Sequence, residues 1–63
     1  MVLSDQELWA AANMVLQQHG DRAAVHVAER LGALGLAGDG AGVEVWRSIA
    51  RRLDQLMRPG EVN

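Results

Sequence analysis

The chain has 63 residues, of which 49% are hydrophobic, no cysteine and a formal net charge of −2 at pH 7. This length predicts one small helical domain, residues 1–63, near the lower limit at which a core stands without a metal, disulfide or partner. An enclosed active site is not expected at this size, and the missing cysteines exclude disulfides and thiolate metal sites. The charge argues against bulk affinity for nucleic acid or anionic membrane. No segment has the pattern of a signal peptide or membrane span.

The first predicted helix covers residues about 5–19 and has a clear start signal. Ser4 and Glu7 have the spacing of a capping box, and Leu3 and Leu8 occupy the two positions of a hydrophobic staple. At 100° per residue one face is apolar, with Trp9 at its edge. Its members are Leu8, Ala11, Ala12, Val15 and Leu16.

The second predicted helix covers residues about 22–37 and follows the pair Gly20–Asp21. Glycine tolerates the left-handed conformation that ends a helix, and aspartate is expected to cap the next one. The apolar stripe consists of Ala24, Val27, Leu31 and Leu34, beside a strip of small residues, Ala24, Ala28, Gly32 and Gly35. We expect the small strip to let another helix backbone approach closely, and fraying after Leu34 is the alternative.

The third predicted helix covers residues about 40–58, after a second pair, Gly38–Asp39, and ends at Pro59 because the residue before proline disfavours helical geometry. Residues 59–63 are expected to form a frayed tail. The apolar stripe consists of Val45, Trp46, Ile49, Leu53, Leu56 and Met57. Tight turns favour antiparallel neighbours, so the fold class is all-α, a small three-helix bundle. In a flatter alternative the first helix crosses a hairpin of the other two.

The sequence contains no set of residues that indicates catalysis. No nucleophile, paired carboxylates or phosphate-binding glycine loop is present. His19, His26 and Glu29 are the nearest approach to a metal site, but they lack a recognised ligand spacing. We expect His19 to favour the end of the first helix and His26 to be solvated. The protein is therefore predicted to be no enzyme and to hold no metal and no cofactor.

Arginines supply all six positive charges of the chain, and the third helix carries four of them, Arg47, Arg51, Arg52 and Arg58. Arginine forks match phosphate oxygens, so a nucleic-acid-linked regulator that uses these residues is the alternative function. Against it, Glu44 and Asp54 stand at spacings that allow helical ion pairs. Gln55 is the one amide side chain of the base-reading kind between these arginines. Nucleic acid is therefore the less favoured partner.

Several apolar side chains fall off the predicted core stripes. Trp46 is expected in the core, whereas Trp9 is as consistent with an interface as with the core. Together with Val25 and Leu36, Trp9 forms the candidate protein-interaction set. The leading hypothesis is a non-enzymatic interaction module that associates with itself or with another protein through an apolar helix face. A charged residue at Trp9 or Leu36 should then weaken association and leave helicity intact.

Short motifs along nearly the whole chain carry a family resemblance. They are 7–10 (ELWA), 18–21 (QHGD), 28–34 (AERLGAL), 37–39 (AGD), 41–43 (AGV), Trp46, 49–50 (IA) and 52–56 (RLDQL). With these motifs the chain resembles short, uncharacterised alphaproteobacterial proteins of the sphingomonad type, classed as a domain of unknown function. It departs from them at Ala11, where cysteine is expected, and at Leu31, where isoleucine is common. The resemblance implies a small bacterial cytoplasmic protein and brings no activity or site residue.

Overall fold

The computed structural model describes residues 3–58, and this part of the chain is helical and contains no strand. Helix α1 is Asp5–His19, helix α2 is Ala23–Leu36 and helix α3 is Gly40–Met57. A single 3-10 turn, Gly20–Arg22, joins α1 to α2. The all-α prediction is confirmed, with helix bounds within a residue or so of those expected. The predicted tail, 59–63, lies outside the described residues.

The start of α1 is the capping box that the sequence predicted. The Glu7 amide donates to Ser4 Oγ at 3.1 Å, and the Ser4 amide donates to Glu7 Oε1 at 2.8 Å. Leu3 packs against the core beside the buried Leu8, as a hydrophobic staple requires. Two amides that have no helical partner are thereby satisfied, which fixes where α1 begins.

The junction between α1 and α2 differs from the prediction. Helical turns follow one another from Asp5 to Leu36, so the described chain forms two helical runs, 5–36 and 40–57, rather than three helices separated by loops. Gly20 has a φ of +54°, as expected for the glycine that ends α1. The predicted cap by Asp21 is wrong, because α2 begins after Arg22 without a side-chain cap. Backbone bonds, from the Gly20 amide to Leu16 and from the Ala23 amide to Gly20, take its place.

The junction between α2 and α3 matches the prediction. Gly38 has a φ of +75°, the left-handed region that favours glycine. The Asp39 amide donates to the Leu34 carbonyl at 2.9 Å and closes the end of α2. Asp39 Oδ1 accepts from the Gly42 amide at 2.9 Å and caps α3. The two Gly-Asp pairs are thus alike in sequence and different in structure.

The core lies where α3 meets the other two helices. The buried residues are Leu8, Ala12 and Val15 of α1, Ala23 and Val27 of α2, and Ile49 and Leu53 of α3. α3 packs extensively on both α1 and α2, whereas α1 and α2 contact each other much less. α3 is therefore the central helix of the described chain. In the described part of the chain no helix is long and apolar enough to cross a membrane.

Several residues of the predicted stripes lie outside the core. Trp46 is half-buried rather than buried, and Leu56 and Met57 are exposed. Ala23 is buried in place of Ala24, which is exposed. The rest of the predicted α2 stripe faces inward, because Val27 is buried and Leu31 and Leu34 are half-buried.

The predicted close packing of the small residues of α2 is wrong within the described chain. Ala24, Ala28, Gly32 and Gly35 are all exposed. A Cβ atom added at Gly32 or Gly35 would meet no described atom within 4 Å. The fraying alternative is also wrong, because α2 stays helical through Leu36. The small residues therefore form part of an ordered surface.

Candidate protein-interaction surface

The side of α2 that faces away from the core carries mostly apolar residues, with Glu29 at one edge. We call this surface the α2 outer face, and its members are Ala24, Val25, Ala28, Gly32, Gly35 and Leu36, all exposed. They lie opposite the buried Ala23 and Val27 and the half-buried Leu34 at 100° per residue. Leu36 is 94% exposed and Val25 is 43% exposed. An apolar helix face is ordinarily covered, so this one is a candidate for covering by another molecule.

A groove between α2 and α3 adjoins the α2 outer face at Ala24. Its volume is about 300 Å³. The lining is Ala24, Val27, Ala50, Leu53 and Met57, with Asp54 as its charged member. Val27 and Leu53 are core residues, so the groove reaches the core from outside. Apolar surface thus continues from the α2 outer face to the last turn of α3.

Trp9 stands apart from the other two residues of the predicted interaction set. The Arg52 guanidinium lies over the Trp9 ring, 5.6 Å from its centroid, which places Trp9 beside α3. Trp9 is 38% exposed, while Val25 and Leu36 lie on the outward side of α2. The structure therefore brings Val25 and Leu36 onto one helix face and leaves Trp9 in a separate contact between α1 and α3.

Arg52 joins α1 to α3, a role that the sequence analysis missed. One guanidinium nitrogen donates to Asp5 Oδ1 at 2.8 Å, and the other donates to the Ser48 carbonyl at 3.1 Å. The Arg52 side chain is only 16% exposed. These contacts, together with the Trp9 ring, occupy much of the Arg52 guanidinium, which would otherwise be available to a nucleic-acid phosphate. Asp5 and Arg52 are 47 residues apart, so no local sequence pattern predicts that they pair.

The other three arginines of the predicted nucleic-acid strip are exposed, Arg47 and Arg51 on α3 and Arg58 directly after it. Arg58 pairs with Asp54 at 2.7 Å, and Arg47 pairs with Glu44 at 3.7 Å, as their spacings predicted. Arg51 donates to Ser48 Oγ at 3.2 Å instead of pairing with Asp54. Positive and negative charges alternate on this surface, which is typical of a solvated helix face.

His19 and His26 stack at the α1–α2 junction. Their ring centroids are 3.9 Å apart, with an angle of 14° between the planes. His26 also meets the edge of Trp46 at 5.9 Å, so it is half-buried and not simply solvated as expected. Arg30 covers the same tryptophan at 5.4 Å. Imidazole nitrogen lone pairs lie in the plane of the ring, so two stacked rings cannot both direct a lone pair at an ion between them.

Potential metal ligands do not cluster within residues 3–58. In that range no three His, Asp or Glu side chains come together in a way that could hold a metal ion. Glu29, which the sequence placed with the two histidines, is therefore not joined to them as a third ligand. The geometry gives the α2 outer face, rather than a polar cluster, as the candidate functional surface.

Comparison with known proteins gives one family. No curated protein and no solved structure shows a significant match to the chain. A family model described as "Family of unknown function (DUF6961)" matches residues 4–60. The match includes all three helices and both Gly-Asp junctions, in agreement with the resemblance seen in the sequence motifs. The chain therefore belongs to this family of unknown function.

Proposed function

We propose that this protein is a non-enzymatic helical interaction module that associates through the α2 outer face, with a second copy of itself or with another protein. One observation carries the proposal: an ordered helix exposes an apolar side whose largest member, Leu36, is 94% exposed. In our proposal α1 and α2 form with α3 a small three-helix bundle that holds this face rigid. The compartment we propose is the cytoplasm, on the family resemblance.

The arginine strip supports association with nucleic acid less well. Arg47 and Arg58 already face carboxylates, and Arg52 is held by Asp5. The formal net charge of −2 also opposes a general attraction to phosphate. A salt-dependent DNA mobility shift that Arg51→Ala with Arg58→Ala abolishes would favour this function instead.

Light scattering coupled to size exclusion, over a wide range of protein concentration, tests the proposal. We expect a mass that rises with concentration, and we expect Leu36→Glu to abolish the rise because it places a charge in the apolar contact. Gln17→Glu is the matched control, because it makes the same charge change at an exposed position of α1. Circular dichroism should show equal helicity for both variants.

A second experiment tests for a partner other than the protein itself. If the mass stays that of a monomer, proteins recovered from a bacterial lysate on immobilised wild type are compared with those recovered on Leu36→Glu. A partner lost with Leu36→Glu and kept with Gln17→Glu would support the proposed face. Equal recovery on all three, or none on any, would contradict it.

A further inference from the structure

The chain has two histidines, and the structure stacks one on the other. We propose that this stack is an acid-sensitive contact at the α1–α2 junction, which holds while at most one ring is protonated and opens when both rings are. Histidine is the one side chain whose ordinary titration falls between pH 5 and 8, apart from perturbed cysteines. Because the chain has no cysteine, ordinary side-chain titration in that range is confined to this contact. The inference is independent of the proposed function, since neither histidine belongs to the α2 outer face.

The distance between the rings is the first reason why the stack responds to acid. The centroids of His19 and His26 are 3.9 Å apart and the planes differ by 14°, so two imidazolium rings would face each other in direct contact. Like charges at this separation repel, and they repel more strongly where water is partly excluded, as it is at these two half-buried residues. One proton is tolerated, because the charged ring then faces a neutral one.

The two helix ends are a second reason. His19 is the last residue of α1, where the helix dipole stabilises a cation. His26 lies in the first turn of α2, where the dipole destabilises one. The first proton is therefore expected on His19 and the second on His26. The second charge meets an unfavourable helix end and a charged neighbour at the same time.

The Trp46 ring does little to offset that second charge. His26 meets the ring at 5.9 Å, and the Arg30 guanidinium already lies over the same ring at 5.4 Å. A tryptophan face attracts a cation, but a protonated His26 would share this one with a cation already present. Trp46 therefore favours a neutral His26.

The carboxylates nearby do not neutralise the stack either. From Leu8 to Gln18, helix α1 carries no charged residue. The other charged residues next to the stack or to Trp46 in sequence are Asp21 and Arg22 of the 3-10 turn, Glu29 of α2, and Glu44 and Arg47 of α3. Among the described residues no carboxylate forms an ion pair with either histidine, and Glu44 pairs with Arg47. A second proton on the stack therefore has no negative partner in the folded chain.

The sign of the pH effect follows from proton binding. A stack that accepts its second proton with difficulty binds fewer protons than the same two histidines bind in the unfolded chain. Stability therefore falls as the pH falls through the ordinary titration range of histidine, from about pH 7.5 to about pH 5.5. Since α1 and α2 contact each other much less than either contacts α3, the opened stack loosens the α1–α2 junction first.

Thermal unfolding at pH 7.5 and pH 5.5, followed by circular dichroism on dilute protein, tests the inference. The melting temperature of the wild type should fall on acidification by at least about 5 °C more than that of His19→Gln or His26→Gln. Each variant keeps one ring, which then has no charged ring to face. Comparing the change with pH, rather than the melting temperature itself, removes any effect of the substitution on folding alone. Equal changes in all three proteins would overturn the inference.

His19→Glu should reverse the sign of the effect. The new carboxylate faces His26 and favours its protonated form, so the melting temperature should rise on acidification instead of falling. Gln18→Glu is the matched control, because it adds a carboxylate at the neighbouring exposed position and leaves both rings in place. The control should keep the loss seen in the wild type. A loss in His19→Glu as large as that in Gln18→Glu would contradict the repulsion between the rings.

The fluorescence of Trp46 reports the opening directly. Trp9→Phe leaves Trp46 as the one indole, and the chain has no tyrosine. At a temperature where circular dichroism shows the helices intact, its emission should move to longer wavelength between pH 7.5 and pH 5.5, because His26 leaves the ring and water replaces it. His19→Gln in the same background should remove the shift. An emission that does not change with pH would mean that the stack stays closed, and the inference would be wrong.

Discussion

Helices α2 and α3 pack against each other, and their outward sides have different chemistry. α3 turns Ile49 and Leu53 inward and carries Arg47, Arg51 and Arg58 outward, so its two sides are those of an ordinary amphipathic helix. α2 buries Ala23 and Val27 and exposes a second apolar side, the α2 outer face. A helix that is apolar on both sides has more apolar surface than the other helices of this chain bury. The most exposed large apolar side chain of the described residues, Leu36, therefore lies on α2 and not on α3.

The largest effect should separate a core leucine from a surface leucine. Leu53, at 2% exposure, belongs to α3 and the core, whereas Leu36, at 94%, ends α2. Leu53→Ala should lower the free energy of unfolding by about 2–5 kcal/mol, a large part of what so small a domain has. Leu36→Ala should change it by less than about 0.5 kcal/mol when the protein is dilute. Urea denaturation followed by circular dichroism measures both, and equal losses would contradict the assigned burial.

The next effect concerns the two Gly-Asp junctions at the ends of α2. Asp39→Ala removes the bond to the Gly42 amide and should cost about 0.5–2 kcal/mol, the usual value for a lost N-cap. Asp21→Ala removes no cap of α2 and should be nearly neutral. Thermal unfolding of both variants beside the wild type gives the comparison. A loss for Asp21→Ala as large as that for Asp39→Ala would show that the α1–α2 junction is capped after all.

Arg52 should matter more than its exposed neighbours on α3. Arg52→Ala removes the contacts to Asp5, the Ser48 carbonyl and the Trp9 ring. We expect a loss of about 1 kcal/mol, because Asp5 is exposed and such pairs contribute little, and because Arg52 Nε is buried without a hydrogen-bond partner in the described chain.

The control for Arg52 is Arg47→Ala, whose ion pair is exposed on both sides. It should change the free energy of unfolding by no more than about 0.5 kcal/mol. Denaturant midpoints at matched, low protein concentration measure the difference. Equal midpoints for the two variants would mean that Arg52 does not hold α1 on α3.

The sequence by itself determined the local features of this protein. The capping box at Ser4, the positive φ of Gly20 and Gly38 and the cap at Asp39 all depend on hydrogen bonds within a few residues, which sequence spacing specifies. The apolar face of α1 follows from the same periodicity, and Leu8, Ala12 and Val15 are buried as predicted. Val25 and Leu36 are exposed, as expected for residues that fall off the predicted core stripe.

The tertiary structure decided what depends on how the helices cross. Spacing cannot show that Asp5 meets Arg52, that His26 lies between His19 and Trp46, or that a 3-10 turn replaces the cap at Asp21. The small residues of α2 show the same limit. Their spacing predicts a contact surface, but only the position of α3 determines that Gly32 and Gly35 face outward. Periodicity shows which residues share a helix face, whereas the packing of the neighbouring helices determines which face is buried.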